Sequence, residues 1–180
     1  MIRTIIEFIL LFIIMVALQA VVFNHLVLWG VAMPVVFIYW LVRLPVNTGT
    51  NLSLTLAFLL GLAIDICSDT QGMNALCCTI AAAIRLPILR LYFPREEDLT
   101  DPEPSIRSLG SGIFMKYLLT FTTVYCILYF MVEAFTFFNP LQLLLRILCS
   151  SIISFIIILA IDSLTHSSHR VGSTGHVRCL

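Results

Sequence analysis

The chain has 180 residues, of which 60% are hydrophobic and only 11% charged, with a mean hydropathy of +1.05. Soluble domains carry roughly 25% charged residues, so these few charges do not cover a water-soluble surface, and a net charge of zero gives no basis for nucleic-acid binding. Lipid is the solvent that fits such a composition, and the reading is an all-α integral membrane protein, a bundle of about six transmembrane helices.

Six apolar runs follow one another along the chain. Ile5 to Phe23 is interrupted only by Glu7 and Gln19, and Leu26 to Val42 holds no charge. The third run is centred on Leu52 to Ile66, carries Asp65 near its end, and reaches spanning length only if extended to about 50–67. Met73 to Phe93 contains Arg85 and Arg90, Ile113 to Phe138 contains Lys116 and Glu133, and Leu141 to Ile161 contains Arg146. A bilayer core of ~30 Å needs about 20 helical residues. No run alternates with period two, and lipid obliges each segment to satisfy its own backbone, so helices are the natural form. Arg3 before the first run suggests a signal peptide, but Glu7 interrupts the run early and no small-x-small site follows; it is read as a retained helix.

The connections complete the plan. Asn24-His25 and Asn139-Pro140 are tight turns, Arg43 to Thr50 contains Pro45 and Gly49, and Ser68 to Gly72 is a short polar turn. Pro94 to Ser111 is the one long internal loop, acidic and solvated. The transmembrane domain is expected over 1–163, followed by a polar, disordered cytoplasmic tail over 164–180. Pro34 and Pro87 fall within the second and fourth runs, where each should kink a helix.

Lysine and arginine set the orientation. Arg3, Arg43, Arg90, Arg95, Arg107, Lys116, Arg170 and Arg178 all fall on one side of six spans, and the three opposite turns hold none. This places both termini in the cytoplasm. The remaining two basic residues, Arg85 and Arg146, lie within spans, where an ionisable side chain costs about 2.5–3.5 kcal/mol on insertion scales. Arg85 is about 18 Å along segment four at 1.5 Å per residue. It could reach back toward Asp65 or extend the other way. Glu133 and Arg146 flank the last hairpin turn and form a candidate ion pair. Such pairs have two readings: they neutralise buried charge and hold helices in register, or they mark a substrate path or a partner contact.

The six cysteines show no CxxC pair or metal-ligand spacing, and those within spans behave as small hydrophobes. His25 sits in a turn and His166, His169 and His176 in the tail. No cofactor or metal site is expected. No paired GxGD carboxylates, GxSG serine, HExxH or D-G-x2-A-R pattern is present, so no catalytic constellation is expected either.

The most distinctive stretch runs from Gly61 to Leu76, GLAIDICSDTQGMNAL. Gly61 is one helical turn before Asp65, where a glycine allows a neighbouring helix to approach the carboxylate. Gly72 frees the turn to reverse into segment four, whose early alanines permit tight packing. Gly61, Asp65, Ser68, Gly72 and Ala75 resemble the central signature of the MreD family of rod shape-determining proteins. The Gly-Met-Asn-Ala sequence and the basic Arg-Leu-Tyr-Phe-Pro-Arg helix end resemble versions from Bacteroides-like bacteria. The motif covers about a tenth of the chain.

The resemblance implies a non-catalytic subunit of the elongasome in the bacterial inner membrane, which scaffolds lateral cell-wall synthesis. Its expected neighbours are MreC, then MreB, RodA and a class B penicillin-binding protein, with membrane lipid around it. Gly61, Asp65, Ser68, Gly72, Ala75 and Arg85 are the candidate helix-packing or partner-contact residues. The family also resembles the substrate-binding subunits of energy-coupling-factor transporters in fold, which makes a small-molecule-binding subunit of a vitamin-type transporter the alternative. The topology is directly testable: reporter fusions at Leu180 and near Asp101 should both report cytoplasm and one near Thr70 periplasm, and a periplasmic signal at Leu180 would overturn the span count.

Overall fold

A computed structural model describes residues 2–23, 33–46, 48–92, 110–133 and 140–173. Among these the chain is helical apart from turns and one extended stretch. Helix α1 (Ile2–Leu18) continues as a π-helical turn, Gln19–Phe23; a short α2 (Ile38–Val42), then α3 (Thr50–Ser68), α4 (Met73–Tyr92), α5 (Ser111–Glu133) and α6 (Pro140–Ser173) follow.

Four helical stretches are long and apolar enough to cross a membrane: Thr50–Ser68, Met73–Tyr92, Gly112–Glu133 and Leu141–Ser163. The third run, the shortest in apolar sequence, is therefore a full-length helix. In the first, the apolar helix Ile6–Val21 is shorter than these four. Its face of Ile6, Ile9, Leu10, Ile13 and Ile14 is exposed, as are Leu144, Leu145, Leu148, Ile152 and Ile156 of α6, which suits lipid. Consecutive helices α3, α4, α5 and α6 pack as neighbours, most extensively α3 against α4.

Two expectations are corrected. Helix α6 runs on to Ser173, so the disordered tail expected from residue 164 does not begin there; residues 174–180 lie outside the described residues. The second run, expected as a helix over 26–42, is not one. Residues 33–36 are non-helical and α2 is a single short helix after them, while 26–32 lie outside the described residues. So do the Asn24-His25 turn, residues 134–139, and all but the last two residues of the Pro94 to Ser111 loop.

Non-helical backbone buried among helices must find partners elsewhere, because lipid offers none. Residues 33–36 find them in side chains. The Met33 N–H donates to Ser150 Oγ at 3.0 Å and the Val35 N–H to Ser154 Oγ at 2.8 Å. The Val36 N–H donates to Gln19 Oε1 at 3.0 Å, and Gln19 Nε2 donates to the Pro34 carbonyl at 3.0 Å. Pro34 has no N–H to satisfy. The register is a matter of lengths: four residues of α6 rise about 6 Å, and two extended residues advance about 6.6 Å. Serines at i and i+4 on α6 thus meet alternate amides of a chain running alongside. About two turns further along the same face of α6, Asp162 Oδ1 accepts the Tyr39 hydroxyl at 2.6 Å. Segment two and α6 therefore run in the same direction.

Helix α2 is also fastened to α1. Trp40 Nε1 donates to the Phe8 carbonyl at 3.0 Å, and its ring meets Phe8 and Phe12 edge to face, with centroids 6.4 and 5.3 Å away. All of Ile38 to Val42 is buried. Ser154→Ala should orphan the Val35 amide and destabilise by about 1–3 kcal/mol. Ser151→Ala removes only a hydroxyl pairing with Thr123 and should lose roughly 0.6 kcal/mol, the average for interhelical side-chain bonds. Detergent unfolding titrations of the two variants check this ordering.

Candidate functional site

The stretch from Gly61 to Ala75 folds into a tight knot between α3 and α4. A Cβ placed on Gly61 would lie 2.5 Å from the Ala75 Cα and 2.5 Å from the Asn74 carbonyl oxygen. These are backbone atoms that no rotamer change can move. Only a glycine permits the two helices to come this close.

That approach delivers Asp65 to the start of α4. Its Oδ2 accepts the Ala75 N–H at 2.8 Å. Its Oδ1 accepts the Asn74 N–H at 3.0 Å, the Asn74 Nδ2 at 2.9 Å and the Thr70 hydroxyl. With Met73 as the first helical residue, Asn74 and Ala75 carry the amides that an N-cap side chain ordinarily serves. Gly72 precedes them, at φ 77°, and has no side chain to offer. Asp65 caps the helix from seven residues upstream of Gly72, and its charge faces the positive end of the helix dipole. Its own backbone carbonyl closes α3 by accepting the N–H groups of Asp69 and Thr70, with Asp69 in the left-handed conformation at φ 53°. One residue thus ends one helix and begins the next.

The knot extends into α5. Tyr125 donates its hydroxyl to Asn74 Oδ1 at 2.9 Å, and its ring meets Phe37 edge to face at 5.7 Å and stacks on Tyr129 at 6.4 Å. Asp65, Asn74 and Ala75 are all at most 4% exposed. Ser68, the fifth residue of the signature, ends α3, and its side chain makes no hydrogen bond among the described residues. Asp65 therefore has four donors and no need of a counter-charge.

The expected contact between Asp65 and Arg85 does not form. Arg85 lies ten residues beyond Ala75, about 15 Å along α4, outside the reach of its side chain toward the hairpin turn. It extends the other way and donates from Nη2 to the Leu44 carbonyl, just past α2. Glu133 and Arg146 do approach, with 3.8 Å between charged atoms and side chains 43% and 34% exposed. So open and long a pair is worth at most a fraction of 1 kcal/mol.

A second buried acid escaped the sequence reading. Asp162, 1% exposed, accepts the Tyr39 hydroxyl, which in turn accepts a bond from Arg43 Nη1 at 3.3 Å; the Arg43 guanidinium also lies 5.7 Å from the centre of the Tyr39 ring. Gln19, Ser150 and Ser154 were likewise not picked out as site residues. Their signal was present: Ser150, Ser154 and Asp162 share one helical face in an otherwise apolar run. Cys77, Cys78 and Cys126 are buried as free thiols. Among the described residues no group of three histidine, cysteine or acidic side chains is placed to hold a metal.

Chemically, the knot pairs the Asp65 carboxylate with donors of the same hairpin and the Asn74 amide oxygen with Tyr125 of α5. Its bonds fix the angle and depth of α3 and α4. No family model, curated protein or solved structure matches the chain.

Two measurements follow. Asp65→Ala strips four hydrogen bonds and should destabilise by about 2–3 kcal/mol or more; because Asp65 and Arg85 share no partner, Asp65→Ala and Arg85→Leu should add within ~0.5 kcal/mol in a double-mutant cycle. Gly61→Ala forces helix backbones apart and should lose about 1–3 kcal/mol with no loss of a polar group, read as a shift in the same unfolding titration.

Proposed function

We propose that this chain is a non-catalytic membrane subunit of the elongasome, a multi-pass protein of the bacterial inner membrane with both termini cytoplasmic. Its work is to hold partners of lateral cell-wall synthesis in place. The observation that carries the reading is the Gly61–Asp65–Ala75 knot. The residues that make the chain resemble the MreD family are spent on fixing a helical hairpin: Gly61 by close approach, Asp65 as cap, Gly72 by its positive φ, and Ala75 by its contact with Gly61. A motif used wholly for shape suits a protein that acts by presenting surfaces.

MreC is the first partner under this reading, with MreB, RodA and a class B penicillin-binding protein in the wider assembly. Contacts form within the bilayer, because turns as short as Asp69 to Gly72 do not supply the ~1,000 Å² of a stable interface. Close packing and a few polar contacts would hold them. Depletion in a rod-shaped host should give rounded, swollen cells, and MreC should co-purify with the chain. Rods that persist after full depletion would sink the proposal for that host.

The interrupted second segment favours a second reading, a small-molecule-binding subunit of a vitamin-type transporter, since transporters bind substrate at discontinuous helices. That reading expects normal rods on depletion, a co-purified small ligand and growth restored by vitamin supplement. Imaging depleted cells with and without supplement separates the two.

A further inference from the structure

The charges inside the helices leave one residue over. Five carboxylates lie among the described residues. Glu7 and Asp69 are exposed, Asp65 caps α4, Glu133 pairs with Arg146, and Asp162 accepts from Tyr39. None of them meets Arg85, which is 2% exposed. A guanidinium does not shed its proton in proteins, so its positive charge stands in the interior with a single neutral acceptor, the Leu44 carbonyl. Its Nε has no hydrogen-bond partner. Tyr117 of α5, wholly buried, lies beside the guanidinium within electrostatic reach, and neither its hydroxyl nor Arg85 Nε completes a well-aligned hydrogen bond. Two helices thus bring unused hydrogen-bonding capacity together around one buried cation that, among the described residues, meets no carboxylate.

A buried charge with one weak partner is a costly arrangement, and an unpaired buried donor calls for an explanation such as an absent ion. The Leu44 carbonyl has the position of a placeholder. It belongs to the turn between α2 and α3, and exchanging it for a charged oxygen would give bonds roughly twice as strong. Guanidinium forks match tetrahedral oxyanions, and a phenol donor adds a third point. Arg85 also lies seven residues, about 10 Å, from the end of α4 that carries Arg90 in its last turn. Arg43 follows α2 near the same level. Anionic headgroups collect at a basic boundary of this kind.

We infer that Arg85 and Tyr117 form a binding site for a phosphate group, entered from the basic side of the membrane by displacement of the Leu44 carbonyl. The group is carried by an anionic lipid or arrives as free phosphate. The site is independent of the hairpin knot and of the proposed scaffold role.

The test uses the purified full chain in nanodiscs of phosphatidylcholine alone or with phosphatidylglycerol, and in phosphatidylcholine titrated with inorganic phosphate. The wild type should unfold roughly 4–8 °C higher with the ligand form it uses. A response to phosphatidylglycerol alone identifies a lipid headgroup, and a response to inorganic phosphate identifies the free ion. Arg85→Gln should abolish the rise, Tyr117→Phe should shrink it, and exposed Lys116→Gln should leave it in place. If Arg85→Gln does not fold, Tyr117→Phe against Lys116→Gln decides the matter, with native mass spectrometry of the wild type reading the retained adduct. Absence of a rise in both series overturns the proposal. So does a rise that survives Arg85→Gln, or one lost equally in Lys116→Gln, since both describe surface attraction.

Discussion

A polypeptide that leaves the helix inside a membrane must bring its own hydrogen-bond partners, and residues 33–36 are where this chain meets that demand. Three amides and one carbonyl are satisfied by Gln19 from the first segment and by Ser150 and Ser154 from the last. The rest of the architecture depends on that arrangement. It fixes the direction of α6 relative to segment two, aligns Asp162 with Tyr39, and sets α2 where Trp40 reaches α1 and Phe37 reaches Tyr125. The π turn at Gln19–Phe23 belongs to the same device. Such turns change the direction in which a side chain leaves a helix, and the Gln19 amide faces two backbone groups squarely.

The two polar centres solve the same difficulty by opposite means. At the hairpin knot a charged side chain serves backbone amides, and the charge is absorbed by two amides of a helix terminus and two further donors. Around Arg85 a charge meets one carbonyl and little else. Asp65 is surrounded by donors supplied within ten residues of sequence, so its environment is built locally. The surroundings of Arg85 come from α2, α4 and α5 together and remain incomplete. Burial is nearly equal at the two sites, and the difference between them is the number of partners.

The sequence discloses apolar length well and partnership poorly. The four long helices follow from long apolar runs with few charges, and the Ser68 to Gly72 turn from its polar composition and Gly72. Gly61 beside Asp65 correctly marked a close approach of α3 and α4. Segment two misled because a stretch buried in protein is as apolar as a lipid-facing helix, and its polar complement stands more than a hundred residues away on α6. Pro34 was the local sign, read as a kink where the helix is in fact absent. The Asp65 partner was missed for a different reason: opposite charges suggest each other, whereas backbone amides leave no trace in composition. Serines in an apolar run invite no attention until something non-helical lies beside them.

The pairing of Met33 with Ser150 and of Val35 with Ser154 also constrains how the protein is made. These contacts join residues 117 and 119 positions apart, so a ribosome delivers segment two to the translocation machinery long before its partners exist. Until α6 is inserted, the amides of residues 33–36 must be satisfied differently, in a provisional helix or outside the hydrocarbon. The second segment therefore acquires its mature form only after α6 has been made. A chain truncated before Ser150 would lack a settled second segment even though every residue of that segment is present.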